Sequence, residues 1–235
     1  MQQCKNALVP MFLKTALLVL KKDFAIELRS YEVVSTTIFF AVSCVAIFSV
    51  AFVREGEAPK DAAAGILWIA IAFAGTLALG RTFERERYGE TLKALLMAPA
   101  PRPAIYLGKL LGIVMLLLTT EALIVPMIAF FFHAPLFSQP LFLAALLGLG
   151  TVGYAAVGTL FAAMLVRART RDVMLPILLY PITIPVIIAG VRGTAALLES
   201  PPDLPLAMLW ISLLGFFDVV FVTLSLWTFE PLMTE

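Results

Sequence analysis

Two carboxylates, Glu121 and Asp218, each stand alone in an otherwise uncharged apolar run, residues 110–132 and 204–229. A charge in the middle of such a run costs roughly 2.5–3.5 kcal/mol to place in a bilayer, so neither should face lipid. Two readings are open. In one, the carboxylates sit on the inner surface of a helix bundle as proton-sensitive or substrate-path groups. In the other, they accept hydrogen bonds from hydroxyls such as Thr119, Thr120 or Thr223 and tie helices together. Other chemistry-bearing patterns are sparse. Cys4 and Cys44 are far apart with no CxxC, which supports neither a zinc site nor a disulfide framework. The chain has no GxxxxGK[ST] loop, HExxH pair or serine-nucleophile signature, so it is expected to be non-catalytic. Gly148-Leu149-Gly150-Thr151-Val152-Gly153 fits GxGxxG, yet no soluble strand precedes it. Gly150, Gly153, Gly158 and Ala162 read better as a seam of close helix packing, and Gly108 with Gly112 as a second.

The composition says what must position these residues. Of 235 residues, 61% are apolar and 14% charged, where soluble domains carry about 25% charge. Too few polar groups exist to coat a soluble globule, which disfavours a soluble enzyme or a disordered tail. A formal charge of +1 offers no bulk attraction for nucleic acid. About 20 apolar residues in helix cross a bilayer. Residues 33–53, 62–80 and 173–191 are charge-free, and the runs holding Glu121 and Asp218 also span. The charge-free stretch 134–166 opens with Pro135 and Pro140, which fit a turn, so its span begins near Leu141. The expectation is an all-α polytopic membrane protein with six transmembrane helices, one domain over 1–235 with its bundle at 33–229.

Residues 1–32 form an N-terminal segment too interrupted by Lys21, Lys22 and Asp23 for a signal peptide. Over 11–31, Leu13, Leu17, Leu20, Phe24 and Leu28 recur at helical spacing with Lys22 and Arg29 turned away. That pattern predicts an amphipathic helix lying in the headgroup region or packed on a partner. Fourteen of the 17 Lys and Arg fall in this segment and in the connections after spans two and four; only Arg54, Lys60 and Arg192 lie on the other side. The asymmetry places both termini in the cytoplasm.

Between spans two and three, Gly89 and Pro99 bracket a short piece with Leu92, Leu95 and Leu96 on one face. A helix this brief needs the membrane surface or another protein to hold it. In span five, Pro176, Pro181 and Pro185 each remove a backbone donor, which predicts a kinked or discontinuous helix packed inside the bundle or lining a cavity. The prolines could serve as a gating hinge or as a static bend.

The order of several blocks is recognisable. Gly65-Ile66-Leu67-Trp68, Leu77-Ala78-Leu79, Arg81-Thr82-Phe83-Glu84, Gly89-Glu90-Thr91-Leu92, Leu95-Leu96-Met97-Ala98-Pro99 and Gly108-Lys109 come first, and the stretch Pro176 to Gly190 follows. From about residue 16 to 195 the chain resembles the haem exporter protein B (CcmB) family, a bacterial inner-membrane permease of an ABC-type system in cytochrome c maturation. The resemblance implies a cytoplasmic coupling helix at Glu84 to Met97, with Glu84, Arg85, Glu86, Gly89, Leu92, Leu95 and Leu96 docking a separate ATPase (CcmA-like). It also implies ATP on that partner, a homodimer within the complex, haem-handling membrane proteins (CcmC-like and CcmD-like) and a haem chaperone (CcmE-like). His133, the only histidine, has the donor chemistry of a haem ligand. It equally suits a solvated cap at a helix C-terminus. Two other functions stay open: an ABC-type exporter permease for a lipid, polysaccharide or drug, and a non-transporting membrane scaffold.

Overall fold

The computed structural model describes residues 2–52, 60–88, 101–168 and 170–232. Seven long helices account for nearly all of them: α1 (Gln2–Ser30), α2 (Glu32–Phe52), α3 (Lys60–Tyr88), α4 (Arg102–Phe131), α5 (Pro140–Met164), α6 (Arg171–Leu198) and α7 (Leu204–Leu232). No strand occurs among the described residues. α2 to α7 are each long and apolar enough to cross a membrane, and the chain is an all-helical polytopic membrane protein.

α3 and α5 form the middle of the bundle. They bury 67% and 56% of their most apolar stretches, against 22% for α7. α5 packs on α3, α4, α6 and α7, and α3 also meets α2, α4 and α6. Small residues make this closeness possible, because lipid supplies no hydrophobic drive and association depends on backbone approach. A Cβ at Gly150 or Gly190 would collide with the Trp68 ring, and one at Gly158 with Leu79. The indole of α3 therefore sits between bare backbone of α5 and of α6, and its Nε1 donates to Thr194 Oγ1 at 3.0 Å. The GxGxxG string is thus largely a packing seam, although Gly148 meets nothing. Trp227 is exposed, and Trp210 is half-buried.

The span boundaries move in two places. α4 starts at Arg102, about two turns before Leu110, since Pro101 at its N-cap and Pro103 in its first turn are compatible with a helix start. Lys109 therefore lies within a helix and not in a polar loop. α6 continues past Val191 to Leu198, because Ala196, Leu197 and Leu198 are buried, while Arg192 points outward. The connection to α7 is accordingly only residues 199–203. α6 is also one continuous helix, not a discontinuous one, and it has two faces. Leu175, Leu179, Thr183 and Val186 are buried, whereas Pro181 and Pro185 are exposed and Pro176 is half-buried. The span therefore packs inside the bundle along one face only, and Pro181 and Pro185, four residues apart, share its exposed face.

α1 is longer than expected and docks differently. Ala16 and Val19 are buried against Gly108 of α4, where a Cβ would lie 2.7 Å from the Ala16 carbonyl. Leu13, Leu17, Phe24 and Leu28 are exposed, so most of the predicted leucine stripe faces outward. The helix ends at Tyr31, whose φ of 52° is left-handed, and α2 begins at the next residue. Glu27 caps that start by accepting from the Val34 N–H at 2.8 Å.

Candidate functional site

The coupling segment falls largely outside the described residues: Gly89, Leu92, Leu95 and Leu96 are among those not described. Arg85 and Glu86 belong to the last turn of α3, and Glu84 is half-buried with an exposed i, i+3 contact to Arg81 at 3.5 Å. Exposed pairs of this kind contribute little. The structure does describe the frame from which the segment hangs, namely the end of α3 and the start of α4. Three cross-helix ties secure that frame.

Arg171, at the start of α6, is buried and donates through Nη2 to the Gly80 carbonyl of α3. Tyr106 of α4 donates to the Ala156 carbonyl of α5 at 2.9 Å and packs its ring on Phe229 of α7, centroids 5.3 Å apart. Lys109 of α4 meets Asp23 of α1 at 2.5 Å, and Asp23 also meets Lys22 at 2.9 Å. Lys109 is only 3% exposed. Read from sequence, Arg171 and Lys109 were loop cations, Asp23 an interruption of an apolar run, and Tyr106 carried no role. The only local signal was their position at the margins of long apolar helices, where a basic side chain either snorkels outward or finds a partner within. The ties join α3 to α6, α4 to α5, and α4 to α1.

Deeper in the bundle, the two carboxylates both face α5. Glu121 is 3% exposed and accepts from Thr151 of α5 through Oε1, while Oε2 has no partner among the described residues. Thr119 and Thr120 instead bond back to the Met115 and Leu116 carbonyls of their own helix. Asp218 of α7 is 7% exposed and lies against Gly153, whose Cβ, if present, would be 2.5 Å from Oδ1. Neither of its oxygens is hydrogen-bonded among the described residues, and Thr223 is exposed. Both groups avoid lipid, as their cost requires. The helix-tying reading has a bond behind it for Glu121 only.

A hydroxyl cluster escaped notice in the sequence. Thr76 Oγ1 of α3 lies 2.7 Å from the Tyr154 hydroxyl of α5 and 3.1 Å from that of Tyr180 on α6, and Tyr154 donates to the Ala72 carbonyl at 2.7 Å. Separations of 78 and 104 residues leave no local trace of it. His133 is exposed and ends α4 in a left-handed conformation, φ 49°. Among the described residues, no group of three His, Cys, Asp or Glu side chains is placed to hold a metal ion.

Comparison with known proteins agrees across the bundle. The family model for the CcmB protein matches residues 14–231. Heme exporter protein B of Rhodobacter capsulatus is 29% identical over 195 residues, covering 81% of this chain and 88% of that protein. The Pseudomonas aeruginosa protein of the same name is 27% identical over 175 residues, 74% of this chain and 78% of its own length. Heme exporter protein B of Escherichia coli K12 is 27% identical over 205 residues, 84% and 90% respectively. A match that takes in α2 through α7 and nearly all of α1's packed face leaves one assignment, and the chain belongs to the CcmB protein family.

Proposed function

We propose that this chain is the membrane permease subunit of an ABC-type complex for haem export, or for release of a haem-loaded chaperone, in cytochrome c maturation. The observation that carries the reading is the family match over 14–231, together with relatives named heme exporter protein B that align over most of their own length. The chain itself has no P-loop, so ATP is hydrolysed by a separate subunit docked at Glu84 to Met97. Closure of that subunit displaces the segment between α3 and α4. The Arg171–Gly80 and Tyr106–Ala156 ties carry the displacement into α5 and α6 and bias the bundle between two arrangements. The complex holds two copies of this chain and two ATPase subunits, with haem-handling membrane proteins and a haem chaperone. It lies in the bacterial inner membrane with both termini in the cytoplasm.

The deciding experiment is deletion of the gene followed by haem staining of c-type cytochromes. Loss of holo-cytochrome c, restored by the wild-type chain, supports the reading; normal levels in the deletion strain overturn it. Reversing Glu84, Arg85 and Glu86 to Lys, Glu and Lys should abolish co-purification of the ATPase. If the ATPase stays bound and cytochrome c production persists, docking lies elsewhere.

A further inference from the structure

A cavity of about 310 Å³ opens between α1 and α4, beside the starts of α2 and the end of α3, at the low end of the ~300–1,000 Å³ typical of ligand sites. Leu20 and Phe24 of α1 and Ile113 and Leu116 of α4 make its walls apolar. Its charged lining is Asp23, Glu27 and Lys109, with Tyr31, Thr82 and Thr119 adding hydroxyl-bearing side chains. We propose that this cleft holds one phospholipid of the surrounding bilayer with a zwitterionic, phosphoethanolamine-type headgroup. One acyl chain lies between α1 and α4, the ammonium faces Glu27 and Asp23, and the phosphate faces Lys109.

The occupant follows from surroundings and charge. The wall helix α1 turns Leu17, Phe24 and Leu28 outward, so the cleft borders on an apolar surface that belongs in lipid. A buried lysine on the wall is unusual, and it is held by Asp23, which also contacts Lys22. Glu27 stands one turn beyond Asp23 with an oxygen on the Val34 N–H. One cation and two carboxylates therefore line the cleft, leaving an excess of negative charge toward its interior. An anionic lipid would set its charge against both carboxylates, and an uncharged one would gain nothing from either sign. A ligand carrying both signs matches it. Gly112 keeps the cleft open: a Cβ there meets only Leu20, at 3.9 Å, so a larger side chain has room to enter. The proposal is independent of what the complex exports.

Native mass spectrometry tests it, using the full-length chain with any subunits that co-purify, in nanodiscs of equal phosphatidylethanolamine and phosphatidylglycerol. The wild type should retain one phosphatidylethanolamine per chain, and a photoactivatable analogue should label α1 and α4. Gly112→Leu, which fills the cleft, should lower retention at least about five-fold, equivalent to about 1 kcal/mol. Glu27→Gln keeps an oxygen for the Val34 N–H and should shift the preference toward phosphatidylglycerol by about three-fold. Retention of phosphatidylglycerol equal to or above phosphatidylethanolamine in the wild type overturns the proposal without recourse to any variant. So does unchanged retention in Gly112→Leu, or labelling that places a partner's helix in the cleft.

Discussion

Lys109 and Glu121 lie on the same helix, twelve residues or about 18 Å apart, and both are 3% exposed, yet α4 accommodates them in different ways. Lys109 meets an opposite charge on α1. Glu121 meets a hydroxyl on α5, and Asp218, its counterpart on α7, meets a glycine. Neither carboxylate has a cationic partner among the described residues. The contrast separates two ways of keeping a polar group away from lipid. Near the end of a span, an interfacial helix can bring a counter-charge to it. In the middle of a span, only other transmembrane helices are within reach, and they supply hydroxyls and bare backbone.

The largest effect expected from this contrast is at the ion pair. Removing one member of a buried pair costs about 3–5 kcal/mol. Lys109→Met should fall at the lower end, because Asp23 keeps Lys22 at 2.9 Å. Unfolding in detergent should also show that adding Asp23→Leu restores most of the loss. A Lys109→Met protein as stable as the wild type would break the comparison. Next comes the glycine seam. Gly150→Ala drives a Cβ into Trp68 and should cost about 1–3 kcal/mol, whereas Gly148→Ala, with nothing nearby, should be neutral or slightly stabilising. Combining Gly150→Ala with Trp68→Phe, which removes the clashing ring atoms, should be less than additive.

The smallest stability change belongs to the carboxylates. Glu121→Gln keeps an acceptor for Thr151 and, like Asp218→Asn, should shift stability by less than about 1 kcal/mol. These two variants sharpen the contrast into a functional question. Loss of cytochrome c maturation in a stably assembled Glu121→Gln protein would make that carboxyl a working group. Intact maturation would leave it as the tie between α4 and α5.

What could be read from residues alone follows the range of the interactions. The six spans were legible because a bilayer demands a long uncharged stretch from each helix separately, and that demand is local. Helix ends were less so: α4 starts earlier than its apolar run because Pro103 favours a helix start, and α6 outruns its run because Leu197 and Leu198 pack inside. The candidate site was least legible. Lys109 and Asp23 are 86 residues apart, and Trp68 and Thr194 are 126 apart, so neither pairing leaves a pattern in one stretch of chain. Glu121 was recognisable as needing a partner, but its neighbours Thr119 and Thr120 were already satisfied by their own backbone. The leucine stripe of α1 was correct as a periodicity. Most of it faces outward, while the side that docks carries Ala16, Val19 and Asp23, whose partners Gly108 and Lys109 lie on another helix.

The indole wedged between Gly150 and Gly190 restricts how the bundle can move. With flat backbone on either side and Thr194 holding its nitrogen, α3 cannot roll about its own axis unless its two neighbours roll with it. A displacement of α3 is therefore shared with α5 and α6, and the Tyr106–Ala156 and Glu121–Thr151 bonds hold α4 to the same unit.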